Sequence, residues 1–379
     1  MKKFIPVNQP LLKGNEKKYL INAINTNWIS SEGPYIKKFE TLLEKQFLRK
    51  NAIAVTNGTA ALDIAIESLG IKAGDEIIAP SFTIISCLLQ IVRVGAKPIL
   101  IDSDPINWNM KVEDIEKKIT KKTKAILIVH TYGLPVDLDP ILKLVKKYNL
   151  YLIEDAAEVI GQNYKGRPCG SFGDISTFSF YVNKQITTGE GGAILTNNLK
   201  IAERCRSLRN LCFQKNKRFV HEKLGWNYRM TNLQAAVGLA QLERLDYFVK
   251  LKKKIGSLYS KNLQSLRHLI QLPLKTTSYA DNIYWIYGIV LNKETKLTAN
   301  IFIKYLKNKN IDSRPFFFPM HKQPIFKKMK IFKKVNCPVS EDLYKYGFYI
   351  PSGLGITVSQ INYVSEIILD FFKKFSKKN

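Results

Sequence analysis

The chain has 379 residues, of which 45% are hydrophobic, so it can bury a large core and is not a disordered protein. Its 59 Lys and Arg residues against 31 Asp and Glu residues give a formal net charge of +28, which by composition alone suggests a nucleic-acid or membrane-surface partner. The excess is mostly lysine scattered along the chain, without an arginine-rich block or a recognised nucleic-acid motif, so we expect neither partner.

The cysteines indicate free thiols in a reducing compartment. They are odd in number and include no Cys-x-x-Cys pair, which excludes a disulfide scaffold and a zinc site, and no other metal site is expected. The basic start is cut by Pro6 before a hydrophobic segment forms, and no later run approaches membrane-spanning length. We therefore expect a cytoplasmic protein. The cysteines are Cys87, Cys169, Cys205, Cys212 and Cys337.

The first two hundred residues show the pattern of an α/β fold. After an amino-terminal arm, residues 14–50 have helical period, with a turn signal at 28–34. Short apolar runs then alternate with helical stretches, which predicts a mostly parallel sheet with helices on both faces. The predicted strands are 51–55, 76–79, 98–101, 125–129, 150–153, 175–181 and 192–196, and the predicted helices are 60–69, 87–94, 112–119 and 138–148.

The carboxyl-terminal part predicts a second, smaller α/β unit. Residues 231–264 have helical period and predict one long helix that links the first unit to a second one beginning near residue 270. We therefore predict a large domain over residues 1–245 and a small domain over residues 246–379. The segment 209–228 lacks a clear period, and taken alone it is typical of a surface loop.

The first chemically informative motif is Asn57-Gly58-Thr59, between a predicted strand and a predicted helix. Glycine permits a tight turn, and the start of a helix presents unpaired amides and a positive dipole end, which suit a phosphate group. Gly58 and Thr59 would supply amide donors, and the Thr59 hydroxyl could add another. An ordinary capped helix start gives the same pattern.

Two further strand ends carry candidate side chains. The run 77–83 ends in a loop with Phe82, which could stack on a planar ring or belong to the core. The run 151–158 ends in three carboxylates at the edge of the sheet where ligands bind. Asp155 is the candidate partner for a pyridine nitrogen and Glu158 for a phenolic oxygen, whereas strand alternation turns Glu154 to the opposite face. A solvated acidic loop is the alternative.

Lys184 ends an apolar strand-like run and leads into a glycine-rich turn. A buried amine is costly unless it is used, and its commonest use is a Schiff base with a carbonyl compound or with pyridoxal phosphate. The alternative is a strand end that reaches solvent. Together, these segments offer a phosphate cradle, a ring stacker, a ring-nitrogen acid and a reactive lysine in sequence order.

These motifs resemble the DegT/DnrJ/StrS-type sugar aminotransferases, a family of fold-type I pyridoxal phosphate enzymes that aminate nucleotide-linked keto sugars. The resemblance implies an aspartate-aminotransferase-like α/β fold: a large domain whose mixed, mostly parallel sheet is flanked by helices, and a smaller carboxyl-terminal α/β domain. It extends nearly from end to end. The matching stretches are 56–62, 74–83, 154–158, 170–180, Lys184, 187–192 and 224–236.

The resemblance also implies roles for single residues. Lys184 would bind pyridoxal 5'-phosphate through a Schiff base, and Asp155 would contact the pyridine nitrogen. Ser179 and the amides of Gly58 and Thr59 would hold the phosphate. Asn227 matches a residue that reaches the phosphate from the neighbouring subunit, so a homodimer with shared active sites is expected.

The segment 312–324 is the candidate for substrate recognition, because it places an arginine, three phenylalanines and a histidine between prolines. Arg314, Phe317 and His321 are candidate substrate-binding residues in this segment, and Arg229 is a further candidate in the stretch 224–236. Three adjacent phenylalanines are also common core material. The segment 312–324 and the run around Lys184 resemble the GDP-perosamine synthase subgroup.

The subgroup implies that L-glutamate donates its amino group to C4 of GDP-4-keto-6-deoxy-D-mannose, which gives GDP-perosamine, a sugar donor for the O-antigen of lipopolysaccharide. Glu158 favours this subgroup, because glutamine is frequent at that place elsewhere in the family, whereas His321 departs from it. A 4-aminotransferase acting on dTDP- or UDP-4-keto-6-deoxyglucose is therefore the alternative. A sugar 3-dehydratase with the same cofactor is a further one, although that branch of the family carries histidine at the place of Lys184.

Overall fold

The computed structural model describes residues 4–214, 216–217 and 219–376, so the basic start and the end of the lysine-rich tail lie outside the described residues. The strands are β1 Asn51–Val55, β2 Glu76–Pro80, β3 Lys97–Ile101, β4 Thr123–Val129, β5 Tyr151–Asp155, β6 Asn163–Tyr164, β7 Arg167–Pro168, β8 Ile175–Ser179, β9 Gly192–Thr196, β10 Ile270–Gln271, β11 Tyr287–Leu291, β12 Arg314–Pro315 and β13 Gly347–Ile350. The helices are α1 Glu16–Asn25, α2 Pro34–Gln46, α3 Gly58–Ser68, α4 Ser86–Arg93, α5 Leu138–Tyr148, α6 Leu199–Arg209, α7 Asn232–Leu242, α8 Leu245–Asn262, α9 Ala299–Lys307, α10 Pro324–Lys328, α11 Pro338–Tyr346 and α12 Val358–Ser376.

A seven-stranded sheet forms the centre of the first part of the chain, with the strand order β1-β9-β8-β5-β4-β2-β3. The pairs from β8 to β3 are parallel, whereas β9 runs antiparallel to both of its neighbours. All residues of β1 are buried, and they alternate between two hydrophobic clusters: Ala52 and Ala54 join one, Ile53 and Val55 the other. This alternation is the physical basis of a sheet covered on both faces, and the predicted mostly parallel α/β fold is confirmed.

A second sheet of four antiparallel strands, in the order β10-β11-β13-β12, forms the carboxyl-terminal unit. Its buried face packs with α8, α9 and α12 into a separate hydrophobic cluster. The unit begins at Ile270, where the sequence predicts it. The proposed domain limit between residues 245 and 246 coincides with the start of α8 and stays a prediction.

Two predicted helices differ from the structure. The segment predicted as a helix over 112–119 forms two short 3₁₀ turns, Val112–Asp114 and Glu116–Lys118, in which hydrogen bonds join residues three apart instead of four. The single long helix predicted over 231–264 is divided into α7 and α8 at Glu243 and Arg244. The helical period continues across this division, so the hydrophobic pattern does not reveal it.

An aromatic cluster joins the two sheets next to the site described below. Phe82 and Tyr132 come from loops of the large sheet, and Trp285 and Phe316 come from the carboxyl-terminal unit. The ring centroids of Tyr132 and Phe316 are 4.9 Å apart at an edge-on angle, a favourable arrangement for aromatic rings. The cluster therefore fixes how the carboxyl-terminal unit meets the edge of the large sheet.

All five cysteines are free and buried. None of the helices in the part of the chain that the structure describes combines the length and the apolar character needed to span a membrane.

Candidate active site

A cavity of about 680 Å³ opens at the carboxyl ends of β1, β5 and β8, where open α/β sheets bind their ligands. It brings together residues that lie more than one hundred positions apart in the sequence. A larger groove of about 940 Å³ follows β10, and its lining includes none of the predicted site residues. The predicted cofactor-binding residues that line the 680 Å³ cavity are Gly58, Thr59, Asp155, Glu158, Ser179 and Lys184.

The start of α3 forms one wall of the cavity. Asn57 caps the helix, because its side chain accepts a hydrogen bond of 2.8 Å from the amide of Ala60. A Cβ atom on Gly58 would lie 2.7 Å from the Cβ of Ser179, so this close approach requires glycine. The hydroxyls of Thr59 and Ser86 lie 2.8 Å apart beside it. The first amides of the helix and these hydroxyls together form a site that suits a phosphate group.

Asp155 stands at the end of β5 and faces the cavity. Its Oδ1 accepts the amide of Ala157 at 3.0 Å, and the Sγ of Cys87 lies 3.3 Å from its Oδ2. Burial raises the pKa of this carboxyl, and the Ala157 amide partly opposes that effect. A cationic ring nitrogen beside Asp155 would favour the ionised form further.

The neighbouring Glu154 does not line the cavity. Its carboxylate accepts hydrogen bonds from the amides of Phe172 and Gly173, each at 2.9 Å, and lies 3.2 Å from Nε2 of His130. Burial opposes ionisation of Glu154, but His130 and the amides outweigh it and lower its pKa to about 2. Two adjacent carboxylates of β5 therefore serve different purposes: Glu154 ties loops to the sheet, and Asp155 remains available to a ligand.

Lys184 is buried in the cavity, and its Nζ lies 3.6 Å from the centroid of the Trp285 ring. The indole nitrogen of Trp285 donates a hydrogen bond of 2.8 Å to the carbonyl of Asn183, so Trp285 also fixes the backbone that carries the lysine. Burial lowers the pKa of Lys184, while the negative charges of Glu158 and Asp155 oppose this shift. The site thus favours the neutral amine, which is the nucleophilic form.

Glu158 accepts the amide of Tyr132 at 2.8 Å through Oε2. Burial raises the pKa of Glu158 to about 7, although the charge of Lys184 opposes the shift. Because burial also lowers the pKa of Lys184, both members of this pair are driven toward their neutral forms. Burial thus makes the protonated form of Glu158 more accessible near neutral pH than it is for an exposed glutamate.

Replacing Glu158 with glutamine should remove one titration from the pH dependence of the reaction. The raised pKa places a change of charge near pH 7 in the wild-type protein, and the neutral amide imitates the protonated carboxyl. We expect the E158Q variant to lack the inflection near pH 7 and to follow the low-pH behaviour of the wild type. The measurement is kcat/KM for L-glutamate between about pH 5.5 and pH 9. An unchanged inflection in E158Q would assign the titration to another group.

Phe82 is not part of the cavity wall, in contrast to the predicted ring-stacking role. Its side chain is only 1% exposed, and it packs edge-on against Tyr132 and Phe317 in the aromatic cluster. Ile84, two residues later, is 47% exposed and lines the cavity instead. The loop after β2 has no regular period, so the sequence does not reveal which of its apolar residues faces the ligand.

The candidates for substrate binding are placed differently from one another. Phe317 lines the cavity. Arg314 lies outside its lining, with an ion pair of 3.2 Å to Asp312, but it pairs across the strands with Tyr349, which does line the cavity. Arg314 therefore stays a candidate for a charged group of the substrate at the edge of the site.

His321 is held in the structure by contacts at both ring nitrogens. Nδ1 lies 2.9 Å from the hydroxyl of Ser81, and Nε2 lies 2.9 Å from the carboxylate of Glu341. The ring is buried and does not line the cavity. His321 was predicted to bind substrate, but in the structure both of its ring nitrogens already contact Ser81 and Glu341. Its role is therefore structural.

Asn227 and Arg229 lie outside the lining of their own chain's cavity. The Arg229 guanidinium donates to Oδ1 of Asn227 at 3.0 Å, and the Asn227 side chain is exposed. The role of Asn227 toward the phosphate of a neighbouring subunit and the role of Arg229 toward substrate stay predictions.

The cavity also contains residues that have no role in the sequence analysis, among them Ser86, Trp285 and Tyr349. Ser86 is the first residue of α4, which follows the loop of Phe82, so its position at the start of a helix was a usable signal. Trp285 and Tyr349 come from the carboxyl-terminal unit, and no local pattern connects them with Lys184. Only the packing of that unit against the large sheet brings them to the site.

The residues of the cavity fit pyridoxal phosphate. The start of α3 with Ser179 suits the phosphate, Asp155 suits the protonated ring nitrogen, and the buried amine of Lys184 suits the carbonyl carbon. Gly58 could not be replaced by a larger residue without contact with Ser179, so glycine is what allows the start of α3 to pack against the end of β8.

Comparison with known proteins agrees with the conclusion that the cavity binds pyridoxal phosphate. Residues 10–369 match the model of the DegT/DnrJ/EryC1/StrS aminotransferase family. The chain is 43% identical over 372 residues to GDP-perosamine synthase of Escherichia coli O157:H7, covering 98% of this chain and 99% of that protein. It is 40% identical over 368 residues to GDP-perosamine synthase of Vibrio cholerae, covering 97% and 99%.

Among solved structures, the fold matches E. coli GDP-4-keto-6-deoxy-D-mannose-3-dehydratase with bound hydrated pyridoxal phosphate. The TM-score is 0.89 at 23% identity, covering 97% of this chain and 100% of that one. A likeness at this identity concerns the fold alone, so it does not separate an aminotransferase from a dehydratase. The identity to the two GDP-perosamine synthases favours the aminotransferase, and together with the family match it confirms the predicted aminotransferase with pyridoxal phosphate as cofactor. The chain belongs to the DegT/DnrJ/EryC1/StrS aminotransferase family.

Proposed function

We propose that this protein transfers the amino group of L-glutamate to C4 of GDP-4-keto-6-deoxy-D-mannose, with GDP-perosamine and 2-oxoglutarate as products. The observation that carries the aminotransferase chemistry is the amine of Lys184, which is buried in a cavity that also holds Asp155 and the start of α3. The identity of 40% and 43% to two GDP-perosamine synthases supports the choice of sugar and nucleotide.

Each residue of the cavity has a distinct part in this reaction. When bound, pyridoxal phosphate supplies an electron-accepting ring that makes removal of the Cα proton of an amino acid possible. Asp155 would hold the protonated ring nitrogen through its negative charge. The neutral amine of Lys184 takes the proton from Cα of L-glutamate, and in the second half of the reaction it delivers a proton to C4 of the sugar. The amides of Gly58 and Thr59 with Ser179 would anchor the phosphate.

We extend the proposal to the assembly and its compartment. Asn227 is exposed and lies outside the cavity of its own chain, which supports a homodimer in which it completes the neighbouring site. The five free cysteines support a reducing compartment, the cytoplasm. The product would serve as a sugar donor for the O-antigen of lipopolysaccharide. Light scattering of the purified protein tests the dimer, and a monomer at working concentration would contradict it.

The test of the reaction is incubation of the purified protein with pyridoxal phosphate, L-glutamate and a panel of GDP-, dTDP- and UDP-linked 4-keto-6-deoxy sugars. Mass spectrometry of the products distinguishes amination from loss of water. We expect amination of the GDP-linked sugar with release of 2-oxoglutarate, and no product when L-glutamate is omitted. Amination of only the dTDP- or UDP-linked sugars would move the assignment to the alternative substrates, and loss of water would make the protein a dehydratase.

A further inference from the structure

Behind Asp155, on the side away from the cavity, lies Cys87 of α4. The cavity lining includes Asp155 but not Cys87, whose side chain is fully buried. The Sγ of Cys87 is 3.3 Å from Oδ2 of Asp155, while Oδ1 accepts the amide of Ala157. Among the residues that the structure describes, Cys87 is the side chain that hydrogen-bonds to this carboxylate.

The direction of this hydrogen bond follows from the chemistry of the groups. Burial and the negative charge of Asp155 both raise the pKa of Cys87 well above its usual value, so the thiol keeps its proton. A carboxylate can only accept, and the S–H group therefore donates to Asp155. The buried hydroxyl of Thr83 lies 3.2 Å from the same sulfur. Because the single thiol proton is used toward Asp155, the hydroxyl of Thr83 donates to the sulfur.

We propose that Thr83 and Cys87 form a hydrogen-bond relay that positions Asp155 and favours its ionised form for the ring nitrogen of pyridoxal phosphate. Cys87 is thus a positioning residue that acts through Asp155 and does not touch the cofactor. The inference rests on the proposed function. Its physical basis is that a buried carboxylate loses the hydration that stabilises its charge, so each donor that remains in contact has a large share in keeping it ionised and correctly oriented.

The relay predicts a graded set of cofactor affinities. Removal of the donor in C87A should weaken pyridoxal phosphate binding about tenfold, as expected for a hydrogen bond to a charged group. The C87S variant restores a donor and should bind within about threefold of the wild type, because a hydroxyl donates to a carboxylate as well as a thiol does. The T83V variant leaves the thiol in place but removes the group that polarises it, so a smaller loss is expected.

The matched control is C205A. Cys205 is also fully buried, and it lies in the same hydrophobic cluster as Cys87, so its truncation removes a sulfur from the same core without touching Asp155. Its affinity for pyridoxal phosphate should equal that of the wild type. The measurement is the dissociation constant of pyridoxal phosphate from the apoprotein, by absorbance titration, with circular dichroism to verify folding.

The outcomes separate the relay from the proposed function. Equal affinities of C87A and the wild type, or equal losses in C87A and C205A, would overturn the relay while leaving the function intact. A loss in C87S as large as that in C87A would show that packing and not donation matters, and it would overturn the relay as well. If the wild-type protein itself failed to bind pyridoxal phosphate, that result would contradict the proposed function, and the relay would be contradicted with it.

Discussion

Replacing Lys184 with alanine should lower turnover by more than about 1000-fold, because one side chain supplies both the covalent anchor of the cofactor and the base that moves the proton. The K184A protein should remain folded, because burial already drives the neighbouring Glu158 toward its neutral form, so that carboxyl does not depend on the lysine as a partner charge. Reduction with borohydride fixes a cofactor that is bound to a lysine. Mass spectrometry should then find the label at Lys184 in the wild type and no label in K184A.

Lys252 offers the matched control for this experiment. It is only 3% exposed, its Nζ donates to the carbonyl of Ser352, and burial lowers its pKa to about 7. Its pKa is shifted in the same direction as that of Lys184, but it does not line the cavity. The K252M variant should therefore keep the label and turnover. A label at Lys252, or turnover that persists in K184A, would contradict the assignment of the reactive lysine.

Replacing Asp155 with asparagine should lower turnover about 100- to 1000-fold, the range seen when a preorganised electrostatic partner is removed from an active site. Asparagine keeps the shape of the side chain but carries no negative charge to hold a protonated ring nitrogen. We also expect weaker binding of pyridoxal phosphate. The measurements are kcat with L-glutamate and the dissociation constant of the cofactor for the same protein sample.

The D155E variant is the control for charge against position. It keeps the carboxylate but displaces it by one methylene group, so its turnover should lie between that of D155N and that of the wild type. Both variants should unfold at temperatures close to that of the wild type, because Glu154 and not Asp155 ties the loops after β5 to the sheet. Wild-type turnover in D155N would show that the ring nitrogen is held by another group.

The features that sequence reasoning predicted are those with a local physical signature. The strands of the large sheet could be identified because a strand that is covered on both faces consists of a short, continuous run of apolar residues. Gly58, Asp155 and Lys184 lie at or within a few residues of the carboxyl ends of such strands, and these ends meet at one edge of the sheet. Their common position in one cavity could therefore be predicted before any contact was known.

Other features of the site depend on contacts between distant segments, which no local pattern contains. Phe82 and Ile84 occupy one loop, and only packing against Tyr132 decides that the phenylalanine is buried and the isoleucine faces the cavity. His321 is engaged by Ser81 across 240 positions of sequence.

The sequence by itself thus determined the fold class, the edge of the sheet where the site lies and three of its charged residues, Asp155, Glu158 and Lys184. The tertiary structure decided which side chains face the ligand and which support it, including Trp285 against Lys184 and Cys87 behind Asp155. The physical reason is that strand and helix periods are set by neighbouring residues, whereas the orientation of a loop side chain is set by whatever distant segment packs against it.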